Sequence, residues 1–237
     1  MISGPAEFPQ THWSLVLSAR GPAEHSRQAL DALIRIYWPP LFAFLRRDGH
    51  DPETARDLLQ GYLARLLERQ DLASVGPDKG RFRSYLLAGL RNYLVSEARR
   101  EKTLKRGAGA VVSMETEEAG RILAMTPAAG LTPELAFDRQ WARTVLRRAI
   151  ERLRAEHETT TRRAVFDLLQ PALVGADGDG YAALASRLNW TAGAVAVAIH
   201  RLRRRLRELV RDEVRQTVGS AADLEAELRH LLVVWET

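Results

Sequence analysis

The sequence predicts an all-α protein: two small helical domains joined by a flexible linker, the second a helix-turn-helix domain. Three observations lead there. Apolar residues recur at steps of three and four along nearly all of the 237 residues, and no stretch alternates as a half-buried strand does. The composition changes to Gly, Ala and acidic residues between 107 and 131, so a spacer separates a block at 11–106 from one at 132–216. Within the second block a short helix, a break of about three or four residues and a longer helix follow one another from Tyr181, the layout of a helix-turn-helix. A C-terminal helix at 217–237 closes the chain.

The first block opens with "QALDALIRIYW", whose Leu30, Leu33, Ile34 and Tyr37 share one stripe. Pro39 and Pro40 are expected to break this helix, and "LFAFLRRDGH" to resume it briefly. Asp51 then Pro52 form a start signal: an N-cap followed by the first helical position. The helix behind them carries Ala55, Leu58, Leu59, Tyr62, Leu63, Leu66 and Leu67 on its apolar face. Gly61 inside it costs about 1 kcal/mol relative to alanine, which points to a close contact at that position.

"DLASVGPDKG" is a loop, and "RFRSYLLAGLRNYLVSEARREK" a long helix with Phe82, Tyr85, Leu86, Leu90, Tyr93 and Leu94 inward. From Arg81 to Arg106 eight basic residues face two acidic ones, Glu97 and Glu101. Basic residues interleaved with aromatics suit a single-stranded nucleic acid. The aromatics lie on the apolar stripe, so core packing is the expected role of Phe82 and Tyr85. Lys79, Arg81, Arg83, Asn92, Arg99 and Arg100 are expected to reach phosphates or base edges.

The linker holds an acidic knot at Glu115, Glu117 and Glu118. Thr132 caps the next helix, with Pro133 and Glu134 in its first turn. "TTTRRAVFDLLQPAL" is a shorter helix ending near Pro171, its Thr run serving as a cap or as a phosphorylation site. Tyr181 to Leu188 follows, with Ala182, Ala183 and Ala185 allowing a close helix crossing. Asn189 tolerates the left-handed conformation that ends helices, and Thr191 caps the next one.

In that next helix Val195, Ile199, Leu202, Leu206, Leu209 or Val210, and Val214 form the inward stripe. Ala192, Gly193, Ala196, Val197, His200 and Arg203 are left facing outward. No charged side chain lies between Trp190 and Ile199, whereas Arg201, Arg203, Arg204, Arg205 and Arg207 crowd the part behind. A front of small apolar residues permits close approach to bases and contact with thymine methyls. Arginines behind it meet phosphates. The competing reading is a merely solvated face, with Arg207, Arg211 and Arg215 paired to Glu208, Asp212 and Glu213.

Formal net charge is +5 and the pI about 9.9, compatible with a polyanionic partner. The absence of cysteine excludes disulfides, thiolate nucleophiles and cysteine-held zinc. No targeting segment and no apolar run near ~20 residues appears, so a cytoplasmic protein without membrane insertion is expected. The six histidines are scattered and match no metal-ligand spacing, and no Gly-rich phosphate loop or calcium loop is complete. No catalytic residue, metal or cofactor is expected, and an enzyme is disfavoured.

The order of these parts resembles a bacterial RNA polymerase sigma factor of the extracytoplasmic-function group. "DPETARDLLQGYLARLLE" is similar to the group's polymerase-binding helix at Asp57, Gln60 and Tyr62, with Gly61 where an acidic residue is usual. "RFRSYLLAGLRNYLVSEARRE" is similar to its −10 helix at Phe82, Arg83, Tyr85, Leu86 and Asn92, with Ser96 where Asp is frequent. "YAALASRLNWTAGAVAVAIHRLRRRLRELV" is similar to its −35 helix-turn-helix, with Ala192 and Ala196 where Glu or Pro and Lys are common.

The resemblance implies that the chain directs core RNA polymerase to promoter DNA and helps melt the −10 region. Asp57, Gln60, Tyr62, Leu63 and Leu66 would bind the clamp helices of the polymerase. Ser74, Lys79, Arg81, Arg83, Asn92, Arg99 and Arg100 would hold the −10 strand, including a flipped base. Thr191, Ala192, Gly193, Ala196, Val197, His200, Arg201, Arg203 and Arg204 would bind the −35 duplex. The acidic linker would run through the polymerase, its plain alternative being a solvated spacer. An anti-sigma factor or similar regulator is a further implied partner. The residues alone also fit a stand-alone dimeric helix-turn-helix regulator.

Overall fold

A computed structural model describes residues 23–68, 81–104, 131–158, 160–174, 180–218 and 220–236. These residues are all helical or in short connections, with no strand among them. In chain order the helices are α1 (Ala23–Arg47), α2 (Pro52–Glu68), α3 (Phe82–Leu104), α4 (Pro133–Ala155), α5 (Thr160–Leu169), α6 (Pro171–Val174), α7 (Gly180–Leu188), α8 (Ala192–Arg215) and α9 (Ala221–Glu236). Among the described residues no single helix is long and apolar enough to cross a membrane.

The chain divides into two compact units: one runs to Thr144 and resumes at Arg215, the other is Val145–Val214. This differs from the expected blocks at 11–106, 132–216 and 217–237. The division falls inside α4, and the C-terminal helix belongs to the first unit rather than standing apart. The reason is packing: Phe137 and Trp141 of α4, and Leu224, Leu231 and Val234 of α9, are buried. Glu115, Glu117 and Glu118 of the expected linker lie outside the described residues.

In the first unit Pro39 and Pro40 sit within α1, which runs unbroken past them. A proline inside a helix costs about 3 kcal/mol or more. Tyr37, Leu41, Phe42, Phe44 and Leu45 around the pair are all at most 3 % exposed, and each such burial is worth roughly 1.5–3 kcal/mol. The packing therefore outweighs the lost hydrogen bonds, and the expected break does not form.

α2 begins as its sequence dictates. One Asp51 carboxylate oxygen accepts the backbone N–H of Glu53 (3.0 Å) and of Thr54 (3.1 Å), and the Thr54 hydroxyl donates to the other. These hydrogen bonds, the Thr54 hydroxyl foremost, hold the Asp51 carboxyl below its ordinary range. α2 and α3 meet through two glycine–tyrosine pairs. A Cβ on Gly61 would fall onto the Tyr93 hydroxyl, and one on Gly89 would lie 2.6 Å from the Tyr62 hydroxyl. Tyr62 in turn donates to the Leu86 carbonyl (2.9 Å). The close contact expected at Gly61 is thus the Tyr93 ring.

The second unit is built on Leu153, Phe166, Leu169, Leu173, Leu184, Val195, Ile199, Leu206 and Leu209. α4 is capped by Thr132, whose hydroxyl accepts the Leu135 N–H (3.2 Å), although this cap lies in the first unit. Glu213, almost fully buried on α8, accepts Arg148 (2.8 Å) and Arg152 (2.9 Å) of α4, so two half-exposed arginines neutralise one interior carboxylate.

Candidate nucleic-acid interface

α7 ends on a left-handed residue, Asn189, at φ 53°. The Trp190 N–H reaches back to the Ala185 carbonyl (2.9 Å) and the Asn189 N–H to the Ser186 carbonyl (3.4 Å), the two bonds of a Schellman stop. Thr191 restarts the chain: its hydroxyl accepts the Ala194 N–H (3.1 Å) and its carbonyl the Val195 N–H (3.1 Å). The direction turns by 104° between α7 and α8. The sequence sets this corner locally, through a left-handed stop and a hydroxyl cap two residues apart.

α8 buries Val195, Ile199, Leu206, Leu209 and Val214, with Leu202 and Val210 partly buried against the same core. The inward stripe expected from spacing is the observed one. The opposite face is open. Thr191, Ala192, Gly193, Val197, His200, Arg201 and Arg204 are exposed, while Ala196 is half-buried. Arg203 is also half-buried, and its guanidinium donates to the Ala172 carbonyl (2.8 Å) at the end of α6.

Other arginines behind the front are engaged within the unit. Arg205 forks onto Glu156 and also meets Glu208 at 2.9 Å. Its hydrogen bond holds the Glu156 carboxyl below its ordinary range, while the bonds to Glu156 and Glu208 raise the guanidinium. Arg204 lies 3.6 Å from Glu208. Arg187 and Trp190, outside the expected set, are also exposed, as is Arg207 of the arginine cluster expected to meet phosphates. Arg207 stands one helical step beyond Arg204 on the outer face of α8.

The first unit treats its expected site residues less evenly. Asn92, Arg99 and Arg100 are exposed on α3, with Arg100 3.8 Å from Glu97. Arg81 is half-buried and paired to Glu227 (2.8 Å). Arg83 is buried: it forks onto Glu227, bonds Asp138, and stacks its guanidinium 5.0 Å from the centre of the Trp141 ring. Burial alone would lower Arg83, but the hydrogen bond and charge of Glu227 and the charge of Asp138 hold it above its ordinary value. The expectation for Arg83 is DNA; here its donors point at Glu227 and Asp138 inside the unit. Ser74 and Lys79 lie outside the described residues.

Of the residues expected to bind polymerase, Asp57 is exposed and Gln60 half-buried. Tyr62, Leu63 and Leu66 are interior, at 4–8 % exposure. They face the core of the unit because they share the α2 stripe with Ala55 and Leu59. Among the described residues no group of three or more His, Asp or Glu side chains is placed to hold a metal ion. In comparisons with protein-family models, curated proteins and solved structures, no match was found for this chain.

Proposed function

We propose that this chain is a promoter-recognition subunit of bacterial RNA polymerase, a sigma factor of the extracytoplasmic-function type. The observation that carries the reading is the outer face of α8. It follows a 104° corner, presents an uncharged front, and carries the exposed Arg201, Arg204 and Arg207 behind it. A helix-turn-helix joins its helices at about 90–120° and inserts the front of the second into the major groove. α7 and α8 fit that description, and the arginines fit the flanking phosphates. From Gly180 to Arg211 there are seven arginines and one acidic residue, Glu208.

The first unit supports the reading more narrowly. Asn92, Arg99 and Arg100 form an exposed polar edge on α3 suited to a single strand, and Asp57 with Gln60 an edge on α2 suited to the polymerase. Arg83, Tyr62, Leu63 and Leu66 are buried and hold these helices together.

The test is run-off transcription with purified core polymerase on a promoter library. Stoichiometric co-purification with the polymerase and initiation at a defined set of promoters are expected. A protein that binds duplex DNA as a dimer but neither co-purifies nor initiates is a stand-alone regulator instead.

A further inference from the structure

We propose that the base-contacting surface is the apolar front of α8 around Val197, with Trp190 just ahead of the helix, and that it selects thymine through its 5-methyl group. The inference rests on the duplex-binding reading above and names what that surface reads.

Three large apolar side chains are exposed among the described residues of the second unit: Val174, Trp190 and Val197. Two of the three belong to this corner, at 41 % exposure for Trp190 and 50 % for Val197. Trp190 is not a loose end. Its N–H is fixed on the Ala185 carbonyl and the preceding residue is left-handed, so the backbone under the ring is set by the stop of α7. An exposed tryptophan on a rigid corner is costly to hydrate and gains from a partner.

Gly193 points the same way. The glycines of α2 and α3 are accounted for inside the protein, Gly61 by Tyr93 and Gly89 by Tyr62. A Cβ on Gly193 would meet nothing within 4 Å. Gly193 stands in the first turn of α8, and no internal packing accounts for it. Its bare backbone lies one helical turn before Val197 and lowers the surface there, permitting close approach from outside.

Side-chain hydrogen-bonding groups are sparse along the front. Residues 192–199 read AGAVAVAI, and the Thr191 hydroxyl oxygen already accepts the Ala194 N–H. Within α8 the first side chains able to donate to a base edge are His200 and Arg201. A surface of Ala, Gly and Val cannot separate base pairs by donors and acceptors. In the major groove the one apolar feature that distinguishes a base is the thymine methyl. The exposed Arg201, Arg204 and Arg207 behind the front match the charge of a duplex, which favours DNA over an apolar protein groove as the occupant.

The experiment selects duplexes from a randomised pool with the full chain, alone and with core polymerase. Each thymine in the preferred site is then replaced by deoxyuridine, which removes only the methyl. Loss of about four-fold per contacted methyl is expected, the worth of one buried carbon. Val197→Ala should abolish the difference between thymine and deoxyuridine at one position. Gly193→Ala should weaken duplex binding while leaving the thermal midpoint equal or higher. Salt-sensitive binding that ignores the thymine methyl at every position overturns this inference and leaves the duplex-binding reading standing. Absence of any salt-sensitive duplex binding, with or without polymerase, or capture of an apolar peptide by the patch in place of DNA, overturns both.

Discussion

The carboxylate of Glu227, fully buried on α9, holds the guanidinium of Arg83 at the start of α3. These residues are 144 positions apart, and Asp138 of α4 completes the arrangement from the other side. His230, one helical turn further along α9, also reaches Asp138 (2.8 Å). The pairs tie α3, α4 and α9 into one unit. Breaking a buried ion pair from one side is strongly destabilising, because the remaining charge stays desolvated. Glu227→Ala should therefore cost about 3–5 kcal/mol in chemical denaturation. Replacing both partners, as Arg83→Met with Glu227→Leu, should cost much less. The double-mutant cycle decides: additive losses would show that the two side chains do not act as a pair.

The two glycine contacts between α2 and α3 predict an order of effects. Alanine gains about 1 kcal/mol of helix propensity at either site, and overpacking costs about 1–3 kcal/mol. At Gly89 the obstacle is Tyr62, which is buried and anchored on the Leu86 carbonyl. At Gly61 it is the end of the half-buried Tyr93, which has more room to yield. Gly89→Ala should be the more destabilising, and Tyr93→Phe should rescue Gly61→Ala by removing the hydroxyl. Equal midpoints for the two alanine variants would contradict the anchoring of Tyr62.

The corner between α7 and α8 predicts opposite outcomes for two substitutions at one residue. Asn189 is left-handed, where an alanine Cβ is strained by about 1–2 kcal/mol and glycine is not. Asn189→Ala should lower the melting midpoint, and Asn189→Gly should leave it nearly unchanged. Thr191→Ala, which removes the hydroxyl that caps α8, should cost about 1 kcal/mol.

Acid should loosen the second unit through Glu156. The hydrogen bond from Arg205 depresses the folded carboxyl below its unfolded value. A depressed carboxyl contributes stability that is present above its unfolded pKa, about 4.3 for glutamate, and is lost as pH falls through the lower folded value. The pair is partly exposed, so the effect is modest and sensitive to salt. Glu156→Gln should flatten the stability profile below about pH 4.3 and lower stability slightly at neutral pH. An unchanged acid limb would mean that Arg205 does not engage Glu156 in solution.

Local signals in this sequence translated directly into structure. The Asp51 and Thr191 caps, the left-handed Asn189 and the α8 stripe each depend on a few neighbouring residues, and each is found where the spacing puts it. What the sequence hid depends on partners far along the chain. Arg83 looks like any other basic residue of a basic helix until Glu227 and Asp138 are placed beside it. Tyr62 carries a polar hydroxyl that a surface role would use equally well, and only the Leu86 carbonyl accounts for it inside. The local propensity of Pro39 and Pro40 points to a break, whereas the apolar side chains flanking them decide the helix.

Arginines that look alike on α8 should separate in their salt dependence. Arg203 donates to the Ala172 carbonyl, so Arg203→Ala removes a bond inside the unit. It should lower thermal stability by about 0.5–1.5 kcal/mol, the net worth of one such bond, or more because the donor is charged. Arg201 and Arg207 are exposed on the outer face. Each that neutralises a phosphate releases a counterion, so its loss should reduce the slope of log affinity against log salt by about 0.9. Arg201→Ala and Arg207→Ala should thus weaken duplex binding by similar factors on all sequences and leave the melting midpoint in place. Fluorescence anisotropy of a labelled duplex across a salt series, paired with a thermal melt of each variant, separates the two classes. A reduced slope for Arg203→Ala with an unchanged melt would reverse the assignment and return that arginine to the phosphate backbone.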